Sequence, residues 1–213
     1  MRPDGSGRRA LLALFLAGGA VAALAAGASL VCPDNACGAP VVDTAGLARL
    51  NSWADTRLDP AVTALTWLGS IGVLIPAAAL LTWRWRRSAP VRVLAFLPLA
   101  LAGATALAQA AKYVVARPRP DLFPALIAMP ADPSFPSAHA MQATAFAAGW
   151  LLRPGLRPGS LAVAGAGVLV FAVAGSRLYL QVHFPTDVLF GVAAALLWVA
   201  ALRCAPVWAG ASR

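Results

Sequence analysis

The chain has 213 residues, 60% of them hydrophobic and only 12% charged, with a net charge of +9 and a mean hydropathy of +0.74. That balance excludes an ordinary soluble domain of this size and points to an integral membrane protein. It also makes anionic lipid headgroups the natural partner for the positive charge, and no nucleic-acid partner is expected.

Six apolar runs, 10–31, 61–82, 91–111, 138–152, 160–176 and 187–203, approach or reach the length needed to cross about 30 Å of hydrocarbon. They predict an all-α membrane protein: one domain of residues 1–213 with six transmembrane helices and both termini cytoplasmic. The first run follows Arg8 and Arg9 and ends "AAGASLVCPD", so it reads either as a retained helix or as a cleavable leader. Cys32 and Cys37 follow in "CPDNAC", either a short disulfide of an oxidising compartment or two free thiols, while Cys204 reads as inert. Residues 38–60 are too polar to span. Leu47, Leu50, Trp53, Ala54 and Leu58 suggest a short amphipathic helix on the membrane surface between the first two spans. Pro76 and Pro98 fall inside the second and third runs, where kinks are expected rather than ends.

The basic residues fix an orientation. With the N-terminus inside, Arg2, Arg8, Arg9, Arg84, Arg86, Arg87, Arg92, Arg153, Arg157, Arg203 and Arg213 are cytoplasmic, while most carboxylates lie outside. The outside keeps only Arg49, Arg57, Lys112, Arg117, Arg119 and Arg177 as cations, and the last four break the rule by clustering around two loops. Three stretches meet there: "KYVVARPRP" at the end of the third helix, "PSAH" opening the fourth, and "SRLYLQVHFPTD" between the fifth and sixth. Between them they hold the only two histidines of the chain.

Chemically, Lys112, Arg119 and Arg177 suit phosphate oxygens, and Ser137 adds a hydroxyl and backbone N–H groups near a helix N-terminus. If the sixth helix starts at Pro185, Asp187 can reach back to His183, fix its tautomer and leave the other ring nitrogen as a nucleophile. His139 remains for proton transfer to the leaving group. Arg117 reads as a rim or headgroup contact, and Ser134, beside the site, as a position open to the outer solution, with Ser88 on the inner side. No metal cage is expected, since the outer loops lack a sufficient set of ligands and the cations would repel a divalent ion; no other cofactor is implied.

The spacings K-x6-RP, PSxH and SR-x5-H-x3-D, in this order, resemble the three signature motifs of the type 2 phosphatidic acid phosphatase superfamily, which also includes vanadium haloperoxidases. The resemblance covers about residues 60–205. It implies a six-helix core with Lys112, Arg119 and Arg177 as phosphate ligands, Ser137 and the backbone of Ala138 beside them, His139 as general acid, His183 as nucleophile and Asp187 as its orienting partner. Ser176 opens the third motif. The family usually has glycine where Ala138 stands, which weakens the expected oxyanion contact if positive φ is needed there. The resemblance also implies inhibition by orthovanadate. The expected function is hydrolysis of a lipid phosphate or pyrophosphate, of polyprenyl pyrophosphate or phosphatidate type, at the outer face of a bacterial plasma membrane. A lipid-linked phosphotransferase with the same intermediate, or a non-enzymatic anion transporter, stays open. The lipid substrate and the oligomeric state are not fixed by the sequence.

Overall fold

The computed structural model describes residues 5–209, and its regular structure is helical. Arg2 and Arg213, read above as cytoplasmic, lie outside the described residues. The helices are α1 (Gly5–Val31), α2 (Val41–Asn51), α3 (Asp59–Thr66), α4 (Ile71–Trp85), α5 (Val91–Leu94), α6 (Phe96–Val115), α7 (Ala138–Leu151), α8 (Ser160–Tyr179) and α9 (Pro185–Cys204). Cys32 and Cys37 form a disulfide that closes the turn between α1 and α2.

Four stretches are long and apolar enough to cross a membrane alone: α1, α5 with α6, α8 and α9. A fifth candidate is broken, its halves Asp59–Gly69 and Ile71–Trp85 meeting at 53°. The expected kink is therefore in this element but not at Pro76, which sits inside α4 without ending it. The bend falls at Ser70, whose φ of −77° and ψ of 144° leave the helical region. Tertiary packing is the reason. A Cβ on Gly69 would stand 2.4 Å from Val173 Cγ1 and 3.1 Å from the His139 carbonyl oxygen, so only glycine lets the chain turn this close to α7 and α8. At Pro98, which has no N–H to return to the preceding turn, only the hydrogen-bond ladder is interrupted, at Ala95, one turn ahead; Ala95 keeps a helical φ of −72° and ψ of −16°, and Val91–Val115 remains one stretch.

α7 has 14 residues, about 21 Å at about 1.5 Å per residue, and is short for a span. It needs little lipid contact, because it packs against α6, α8 and α9 and nine of its residues are buried. Its alanines, with Ala100, Ala104, Ala108, Ala194 and Ala195 facing them in one core, let the helix backbones approach closely where lipid tails supply no hydrophobic drive. α1 lies along α9. Outward faces are apolar: Phe15, Leu161 and Phe171 are 77%, 86% and 81% exposed, the pattern of side chains meant for hydrocarbon.

Within the polar stretch 38–60 the helix is α2, Val41–Asn51, with Asp59 and Pro60 already opening α3. Leu47 is fully buried, but Trp53 and Leu58 lie beyond the helix and are exposed, so the expected stripe does not form one face. The inward side of α2 carries Asp43 as well as Leu47. At the far end, Arg153 stacks over Trp85 at 3.6 Å, bringing the end of α4 beside the end of α7.

Candidate active site

α6 delivers Lys112 in its last turn and ends at Ala116, a left-handed C-cap with φ of 50°. The chain then enters Arg-Pro-Arg-Pro. Each arginine precedes a proline, which favours extended or polyproline backbone, and the three-fold screw of such backbone sends residues two apart in different directions. The two arginines diverge. Arg119 turns into a cavity of about 610 Å³ lined by Lys112, Arg119, Asp132, Ala138, His139, Arg177 and His183, among others. Arg117 turns away from it and is wholly buried, which overturns its reading as a rim contact.

Six of the eight expected site residues thus line one cavity. Lys112 Nζ donates to the Pro133 carbonyl and stands 3.0 Å from Asp132 Oδ2. Arg119 Nη2 reaches Asp132 Oδ1 at 2.8 Å, while its Nη1 donates to the Val182 carbonyl at 2.6 Å and meets His183 Nε2 at 3.2 Å. Arg177 Nη1 donates to Thr66 Oγ1 at 2.8 Å, so the bent pair α3–α4 buttresses the third cation.

Since arginine only donates, His183 Nε2 must accept, which leaves the ring proton on Nδ1. Nδ1 faces Asp187 Oδ2 at 3.4 Å. Asp187 comes from the first turn of α9, which begins at Pro185 as the sequence suggested, and its Oδ2 also accepts the Phe184 N–H at 2.9 Å and the Ser134 hydroxyl at 2.5 Å. Gln181, with φ of 59°, makes the left-handed turn that carries the chain from α8 to His183.

The other two expected residues lie behind the cavity wall. Asp187 is fully buried under His183. Ser137 is also buried; its N–H is taken by the Asp187 carbonyl at 3.1 Å, and its hydroxyl has no hydrogen-bond partner among the described residues. Ala138 opens α7 without positive φ, so alanine in place of the usual glycine carries no backbone penalty. Ser176 bonds back to the Val173 carbonyl at 2.7 Å and is buried.

Burial and charge set the protonation of the two groups in the loops. Desolvation pushes His183 down, Arg119 and Arg177 add to the push, and together they outweigh Asp187, leaving it at about 3. Burial alone would raise Asp132, but hydrogen bonds and charge from Lys112 and Arg119 hold it at about 2. At neutral pH the cavity therefore holds a neutral His183 and an ionised Asp132. Among the described residues no three of His, Cys, Asp and Glu converge as a metal site would require.

Sequence reasoning missed Asp132, Ser134, Arg117 and Asp43. Ser134 is buried against Asp187, not open to solution as expected. Asp132 stands four residues before the second motif begins at Pro136, yet it read only as one more outer carboxylate. Asp43 sits in a segment with no motif at all.

The PAP2 superfamily model matches residues 92–210, more than half of the sequence. The chain belongs to the PAP2 superfamily. The matched region contains all eight expected site residues, from Lys112 to Asp187. Among curated relatives, YbjG of Escherichia coli (strain K12), which carries the provisional name undecaprenyl-diphosphatase, is 30% identical over 127 residues, 58% of this chain and 62% of that protein. The match thus spans less than two thirds of YbjG. Among solved structures, the transmembrane PAP2-type phosphatidylglycerolphosphate phosphatase from Bacillus subtilis aligns with a TM-score of 0.70 and 23% identity, covering 88% of this chain and 94% of that one. Aquifex aeolicus LpxE aligns with a TM-score of 0.65 and 23% identity, over 76% and 94%. These likenesses place the protein among all-helical membrane PAP2 folds.

Proposed function

We propose that this PAP2 protein is a metal-independent phosphatase that hydrolyses a lipid phosphate or pyrophosphate through a phosphohistidine on His183, at the extracytoplasmic face of the membrane. The observation that carries the reading is the placement of His183: its Nε2 faces a cavity shared with Lys112, Arg119, Arg177 and His139, and its Nδ1 faces Asp187. A nucleophile, an orienting carboxylate, three cations and a second imidazole are the parts that phosphoryl transfer needs.

In this mechanism the three cations take the equatorial phosphate oxygens, and Arg119 exchanges its bond to Nε2 for one to the substrate. Nε2 attacks phosphorus. The bond to the leaving oxygen breaks, its electron pair staying on that oxygen, which takes a proton from His139. Asp187 stabilises the positive charge that the ring acquires. Water then attacks the phosphohistidine, His139 accepts the proton of water, and inorganic phosphate leaves with His183 restored.

A lipid substrate is supported by a second, apolar cavity of about 800 Å³ between α4 and α6, which shares Ile71 with the first. A tail lying there would keep its headgroup at the cations. The provisional name of YbjG makes polyprenyl pyrophosphate the first lipid to try. In this reading α7 is a sixth crossing enclosed by its neighbours, and α2 lies at the outer surface.

The test is phosphate release from a panel of purified polyprenyl pyrophosphates, phosphatidate and phosphatidylglycerol phosphate, in EDTA throughout. Turnover of at least one lipid, with ³²P trapped as acid-labile, base-stable label that is lost in His183→Ala, is expected. Silence in EDTA restored by magnesium, or label that persists in His183→Ala, overturns the mechanism. Transfer of phosphate to an added alcohol with no release to water would make it a transferase.

A further inference from the structure

Asp43 is fully buried in the first turn of α2, outside the region matched by the family model, and a buried aspartate needs partners. It has three. Oδ1 accepts the Thr186 N–H at 2.8 Å; Oδ2 accepts the Thr186 hydroxyl and Arg117 Nη2, both at 2.7 Å. Arg117 Nη2 also donates to the Gly38 carbonyl at 2.7 Å, and its Nη1 reaches Asp187 Oδ1 at 2.6 Å and Thr186 Oγ1 at 3.0 Å. Its guanidinium lies 3.9 Å from the Phe184 ring centroid. α2 is seated directly on the start of α9: a Cβ on Gly46 would stand 2.6 Å from Pro185 Cγ.

The two oxygens of Asp187 are therefore divided. Oδ2 serves His183, Ser134 and the Phe184 N–H; Oδ1 serves Arg117, which is itself held by Asp43. The division has an electrostatic side. A single cation, Arg117, lies between two carboxylates, so its charge is shared. Without Asp43 it would fall on Asp187 alone and weaken the pull of that carboxylate on the Nδ1 proton of His183.

We propose that Asp43 is a positioning residue for the His183–Asp187 pair, acting through Arg117 and Thr186 to hold the Asp187 carboxylate in place and keep it free to fix the His183 tautomer. The proposal rests on the reading of His183 as nucleophile, so its test has one arm that needs no substrate.

Because the chain has only two histidines, ¹⁵N-histidine NMR of the full-length protein in detergent resolves them, with His139→Ala giving the assignment. The wild type should show His183 protonated on Nδ1 and bare on Nε2. Asp43→Asn should turn it into a mixture of tautomers and lower kcat about 10- to 100-fold with KM within about twofold, the cost of a misplaced reacting group. Asp43→Glu should recover part of both. If Asp43→Asn does not fold, Thr186→Val, which removes one hydroxyl and no charge, should shift the tautomer in the same direction by less. An unchanged His183 spectrum in a folded variant, or a raised KM at full kcat, overturns the proposal. Wild-type protein that attacks no lipid while Asp43→Asn still shifts the tautomer would overturn the phosphatase reading and leave the positioning role standing.

Discussion

Asp132 bridges two of the three cavity cations with a half-exposed carboxylate, in the manner a phosphate oxyanion would. Substrate and product must compete with it. Asp132→Asn should therefore tighten competitive inhibition by inorganic phosphate by about tenfold, an effect moderated by solvent screening at the cavity mouth. Since Asp132 is held at about 2, its own share of the competition should be constant from pH 4 upward, leaving the titration of phosphate itself as the source of any pH dependence. Weaker phosphate inhibition in Asp132→Asn would mean that the carboxylate orients the cations more than it blocks them. His183 gives a second test at this scale. Its folded value of about 3 lies below the ordinary 6.5, so the unfolded chain binds more protons between the two, and the stability that His183 contributes is complete above 6.5 and is lost as pH falls toward 3. Its ¹⁵N signals should remain those of a neutral ring at pH 5, and the melting temperature should fall with acid less steeply in His183→Gln. A His183 that titrates near 6.5 would show the cavity to be wetter than its burial implies. The convergence of six of the eight motif residues on one cavity was legible because short spacings place them around three helix ends. Arg117, Asp43 and Ser134 were not, because what defines them is a partner far away in the chain, and an arginine beside a membrane edge reads the same whether it faces headgroups or a buried carboxylate.

The bent pair α3–α4 shows the same limit among the helices. Apolar runs located the helices to within about five residues, since a run ends where its side chains stop suiting hydrocarbon, although only four stretches and one bent pair are long and apolar enough to cross a membrane; Pro185 marked the start of α9 by the rule for first helical positions. The 53° bend at Ser70 has no such local signal. Its cause is the close approach of Gly69 to Val173 and to the backbone of His139, a contact that exists only after α7 and α8 are in place. Gly69→Ala should therefore do two things: destabilise the fold by about 1–3 kcal/mol, the usual cost of overpacking, and displace both His139 and the Thr66 support of Arg177. The measurement is a thermal melt alongside hydrolysis of a lipid substrate and of p-nitrophenyl phosphate. Because His139 is assigned to protonate the leaving group, the lipid should suffer more than p-nitrophenolate, which leaves without a proton. Equal losses on the two substrates would argue that Gly69 holds the fold and has no particular hold on His139.

At the scale of the whole molecule, the ends of the helices differ in what their charges do. At one end Lys112, Arg117, Arg119 and Arg177 are turned inward, each against a carboxylate, a hydroxyl or a carbonyl. At the other, Arg84, Arg86, Arg87, Arg92 and Arg157 are exposed or only partly buried, and Arg86 and Arg153 stack on Trp83 and Trp85. Exposed Arg49 and Arg57 at the site end are outnumbered by the five exposed arginines at the other, and the positive-inside bias and anionic headgroups favour the richer end for the cytoplasm. The site should then face outward. Ser134 cannot report this, since a cysteine there would replace a buried hydroxyl bonded to Asp187. Exposed Ala131 on the site side and exposed Ser88 between α4 and α5 are suitable instead. In a Cys204→Ser background, with Cys32 and Cys37 already tied to each other, an impermeant maleimide added to intact cells should label Ala131→Cys at once and Ser88→Cys only after permeabilisation. The reverse pattern would put the site in the cytoplasm, and with it the substrate would have to be a lipid phosphate presented by the inner leaflet.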